Sequence, residues 1–75
     1  MEIEIHSGSD VGRAIYAARA ARSLTQREAA ELTGIEATYL SKIESGRTVS
    51  LLEHELRILR RLGARVVVQV EQDDR

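Results

Sequence analysis

The residues best equipped for chemistry lie in Ala37-Thr38-Tyr39-Leu40-Ser41-Lys42, with Ser45 and Arg47 just beyond. Lys42 can donate to guanine O6 or N7, and the methyl groups of Ala37 and Thr38 can pack on thymine. The Tyr39 hydroxyl suits a phosphate oxygen, and the ring suits a packed surface position equally well. Ser45, Arg47 and the guanidinium groups of Arg13, Arg19, Arg22 and Arg27 are further phosphate donors. Such a set can read a duplex only from a rigid element narrow enough for the major groove, which an α-helix is.

The sequence supplies that element and a second helix to support it. Thr25 followed by Glu28 has capping-box spacing, in which each side chain satisfies the other residue's free backbone N–H and opens a helix. Gly34 ends that helix, because a residue without Cβ adopts the positive φ of a sharp turn, and Ile35 is expected to drop between the two helices. In the next helix Leu40 and Ile43, three apart, face inward, which leaves Ala37, Thr38, Ser41 and Lys42 on the outer arc. Residues 25–44 thus read as a helix-turn-helix.

The flanking segments complete one domain spanning residues 1–75. Glu2-Ile3-Glu4-Ile5-His6 alternates like a short strand, and Ser9 or Asp10 is the expected cap of a first helix running to about Arg22. Ser50 and Glu53 repeat the capping-box spacing before a helix over about 51–62, which Gly63 stops. In the tail, Ala64, Val66, Val68 and Val70 share one face of a strand over 64–70. An unpaired valine-rich strand is an aggregation-prone edge. A two-fold dimer would bring four strands into one sheet, so Ile3, Ile5, Val66, Val68 and Val70 are the expected dimerisation residues. Whether the first strand joins that sheet stays open, and Asp73-Asp74-Arg75 is expected to fray.

Composition narrows the function classes. The chain has 75 residues and no Cys, and His6 and His54 are too far apart to suggest a metal pair. No apolar run approaches the length of a membrane span and the start lacks a basic leader region, so the cytoplasm is the expected compartment. The net charge of −1 conceals a division: residues 13–65 hold ten Lys/Arg against six Asp/Glu, and both ends are acidic. The basic middle suits a polyanion. No nucleophile–base pair with fixed geometry and no glycine-rich phosphate loop is present, so neither an enzyme nor a cofactor is expected.

The stretches Leu24-Thr25-Gln26, Gly34-Ile35 and Leu40-Ser41-Lys42-Ile43-Glu44-Ser45-Gly46-Arg47, extended by Ala18-Arg19-Ala20-Ala21-Arg22 and residues 56–63, resemble the XRE/Cro-CI family of DNA-binding proteins. The strand directly after the last helix is most similar to HipB-type antitoxins. The resemblance implies an all-α, five-helix, lambda-repressor-like domain with short terminal strands, the C-terminal one in an intersubunit sheet. It also implies that Gln26 bonds a phosphate and buttresses the reading helix, and that Glu44 pairs with Arg19 to hold that helix in register. Glu36 and Ala37 depart from the family pattern, which commonly has a small cap residue and a glutamine there. The function implied is that of a homodimeric repressor on a palindromic operator, with a HipA-like kinase toxin as partner. A stand-alone repressor, a restriction–modification controller and an adaptor that does not bind DNA are the alternatives.

Overall fold

The computed structural model describes residues 1–71, in the order β1 (Glu2–Ile5), α1 (Gly8–Ala21), α2 (Gln26–Thr33), α3 (Ala37–Glu44), α4 (Ser50–Arg61) and β2 (Val66–Gln69). Four helices rather than the expected five stand among the described residues. After α4 the chain turns at Gly63, with φ of 83°, and the β-branched run that follows goes into a strand. The expected fraying of Asp73–Arg75 lies outside the described residues.

The strand β2 pairs antiparallel with β1 of the same chain, with Ile3 opposite Val68 and Ile5 opposite Val66. The apolar face of this ribbon covers the protein's own core. Ile5, Ala14 and Leu56 are buried together, and Ile3, Val11, Leu52, Val66 and Val68 pack on them. Val70 is buried as well. The expected dimerisation residues are therefore covered within one protomer, by α1 and α4. The outer strand edges of the ribbon are the part of it that its own protomer leaves unpaired among the described residues. Arg65 grips Glu4 across the ribbon at 3.0 and 3.2 Å, and Arg60 of α4 donates to the His6 carbonyl at 2.7 Å.

Two helix starts differ from expectation. Helix α1 begins before Ser9, with Ser7 as the N-cap, because the Asp10 carboxylate reaches back to accept from the His6 and Ser7 N–H groups at 2.8 and 3.2 Å. At α4 the N-cap is Val49, and Glu53 does not cap Ser50. Its carboxylate accepts instead from the Gly8 N–H and the Thr48 hydroxyl, which ties the start of α4 to the start of α1. The Thr25–Glu28 box at α2 has the expected geometry, with bonds of 2.8 and 3.1 Å.

Gly12 sets the approach of α1 to α3, since a Cβ there would stand 2.2 Å from the Ile43 carbonyl oxygen. Replacing glycine by alanine inside a helix ordinarily gains about 1 kcal/mol, but overpacking against rigid backbone costs about 1–3 kcal/mol. The backbone clash wins at this separation. Gly12→Ala is expected to lower the thermal midpoint by roughly 5–10 °C, measured by circular dichroism; a midpoint at or above the parent's would show that the two helices slide apart freely.

Candidate nucleic-acid interface

Helix α3 owes its position to residues on its inner side. Leu40 is buried, and Ile43 and Glu44 are half-buried. The turn before it is tight: Gly34 adopts φ of 76° and donates to the Ala30 carbonyl at 2.9 Å. Thr33 donates its hydroxyl to the Ala29 carbonyl and accepts from the Ile35 N–H. Ile35, expected between the two helices, is 39% exposed and borders a shallow depression with Arg27 and Glu36.

The end of α3 is fixed by one polar cluster. Arg19 of α1 holds Glu44 through two parallel bonds of 2.8 Å, Nε to Oε2 and Nη2 to Oε1. Its remaining Nη1 donates to the Leu24 carbonyl at 2.8 Å, and Gln26 Nε2 donates to Glu44 Oε1 at 3.2 Å. The Arg19 guanidinium also lies 5.1 Å from the Tyr16 ring centre. Three helices thus meet at the Glu44 carboxylate, and the loop before α2 is joined to them through Arg19. The hydrogen bonds from Arg19 hold Glu44 below the ordinary carboxylate range, outweighing the opposing effect of its burial, and Gln26 adds to the lowering. Gln26 is joined to this cluster rather than standing free toward solvent.

The outward side carries the candidate reading residues. Thr38, Tyr39, Ser41 and Lys42 are exposed on α3, and Ala37 is half-buried at its start. Tyr39, Lys42 and Arg47 line one groove whose walls are Val11, Ile15 and Val49, so these three side chains come together. Arg27 is exposed on α2. Among the described residues, Arg27, Lys42 and Arg47 enter no ion pair, whereas Arg13 is held by Asp10 at 2.6 Å. The Ser45 hydroxyl donates to the Lys42 carbonyl at 2.7 Å, so its proton closes the helix end and is not offered outward. Glu36, the N-cap of α3, is exposed and makes no capping bond through its side chain.

Reading the sequence missed Gly12 and the link from Glu53 to Gly8. A glycine inside an otherwise helical pattern signals close backbone packing, so the first was detectable. The Glu53–Gly8 link carried no such signal, because the two residues lie forty-five positions apart. Among the described residues no group of three or more His, Cys, Asp or Glu could hold a metal, and no helix is long and apolar enough to cross a membrane.

A short helix seated by inward leucine, isoleucine and glutamate, its other flank open and bordered by cations that enter no ion pair among the described residues, defines a helix-turn-helix DNA-binding protein. The model of a helix-turn-helix domain family matches residues 2–71, and the chain belongs to that family. No curated protein and no solved structure gives a significant match.

Proposed function

We propose that the protein is a sequence-specific transcriptional repressor that seats α3 in the major groove, two copies reading half-sites about 34 Å apart on a palindromic operator. The observation that carries this reading is the open outer flank of α3, where Thr38, Ser41 and Lys42 face solvent together. In this reading Lys42 contacts a guanine edge, Thr38 and Ala37 meet thymine methyls, and Arg27, Arg47 and the Tyr39 hydroxyl hold phosphates. Gln26, Arg19 and Glu44 position the helix, and no catalysis is involved. The strand after the last helix supports the finer assignment to the antitoxin of a HipBA-type pair, acting in the cytoplasm. Such a protein represses its own operon and neutralises a HipA-like kinase toxin in the complex.

The test is selection of bound duplex from a random pool, followed by footprinting and a salt titration. With two phosphate-holding arginines per copy, Arg27 and Arg47, affinity for the selected duplex is expected to fall by roughly 10²-fold between about 50 and 200 mM salt. An unenriched pool together with no duplex binding at low salt would overturn the reading and leave the adaptor.

A further inference from the structure

Glu36 stands where a DNA-binding surface has least use for a negative charge. It is the N-cap of α3 and is exposed, and among the described residues its carboxylate makes neither a capping bond nor an ion pair. Helix stability does not account for it. The short side chains of Ser, Thr, Asp and Asn reach the free N–H groups of the first turn, and an aspartate would bring the same charge to the positive end of the helix while closing the cap. Arg27 borders the same shallow depression without pairing to Glu36. Cation and anion are thus both left free at the leading end of the proposed reading helix.

We infer that Glu36 reads a cytosine, its carboxylate accepting from the N4 amine, and so selects a C·G pair at one position in each half-site. The inference rests on the seating of α3 in the major groove proposed above. Residues at the leading end of a recognition helix contact base edges. Of the groups presented there, phosphate oxygens repel a carboxylate, as do guanine O6 and N7 and thymine O4, all of them acceptors. Only the exocyclic amines attract it. Cytosine presents its N4 amine alone, whereas adenine sets the acceptor N7 next to N6, a pattern that suits the amide of Asn or Gln. Glu36 therefore works by exclusion as much as by attraction: where no amine faces it, it is an unpaired charge against acceptors and phosphates. Lys42, further along α3, asks for the opposite group, an acceptor on guanine.

The test is selection of bound duplex by the full chain and by its Glu36→Gln and Glu36→Ala variants in parallel, followed by fluorescence anisotropy at fixed salt. The parent is expected to enrich cytosine at one position of each half-site and to bind that duplex about 5-fold or more tighter than one with any other base there. Both variants are expected to keep the rest of the motif and the parent's melting curve and to lose this one preference, with adenine gaining for Glu36→Gln. Their affinity for duplex of unrelated sequence is expected to rise, because a charge that repels phosphates is gone. A probe duplex in which a pyrimidinone, cytosine without its amine, replaces that base should bind the parent more weakly than the cytosine duplex does, and Glu36→Ala equally well. A motif identical for all three proteins, or one that degrades at every position together, overturns the inference while leaving operator binding in place, as does a melting curve lowered in both variants. Should the parent enrich no motif, the seating of α3 fails and this role of Glu36 with it.

Discussion

Glu44→Ala is expected to lower the thermal midpoint by at least about 12 °C, more than any other single substitution considered for this chain. The Glu44 side chain is only 5% exposed and that of Arg19 15%, so removing the carboxylate strands a guanidinium with two unanswered donors. Breaking a buried pair from one side costs about 3–5 kcal/mol. A domain of this length has roughly 4–11 kcal/mol in total. The same bonds set an acid limit. With its pKa depressed in the folded state, Glu44 contributes fully above the unfolded carboxylate value, near pH 4.3, and that contribution is lost as the pH falls from there through the folded value. Melts at neutral pH check the substitution. Arg19→Met with Glu44→Leu removes both charges at similar volume and is expected to recover most of the loss. A single mutant melting within a degree or two of the parent would show that the cluster does not hold α3.

Lys42→Ala is expected to weaken binding to the selected operator by about 5- to 150-fold, the loss of a base-edge contact, while the melting curve stays unchanged. Lys42 is exposed and enters no ion pair among the described residues, so the fold does not depend on its charge. Fluorescence anisotropy on the operator and on variants at each position separates two roles. A base contact relaxes preference at one position, whereas a phosphate contact weakens all duplexes alike and reduces the salt slope by about one. Affinity equal to that of the parent would remove the outer flank of α3 from the interface.

These two residues also show what was legible in the amino-acid sequence. Local spacing carries local geometry, so the Thr25–Glu28 box, the αL turn at Gly34 and the inward Leu40 with outward Lys42 could all be read from residues three to nine apart. Pairings across the chain were harder. The valine face of the tail was readable as apolar, but its cover was not, because nothing in the alternation of Val66 and Val68 distinguishes a second copy from α1 and α4 of the same chain. Glu53 misled for a related reason: its spacing from Ser50 fits a cap, and the competing Gly8 N–H comes into reach only after the helices have packed.

Helix α3 divides its labour cleanly. Leu40, Ile43 and Glu44 anchor it, while among the described residues the side chains of Thr38, Ser41 and Lys42 make no hydrogen bond to the rest of the chain. Drift at positions 38, 41 and 42 is therefore nearly invisible to folding. On the proposed reading, a lineage built on this scaffold can change its target sites one letter at a time without first acquiring compensating substitutions, and the same three positions are the ones to vary for retargeting in the laboratory.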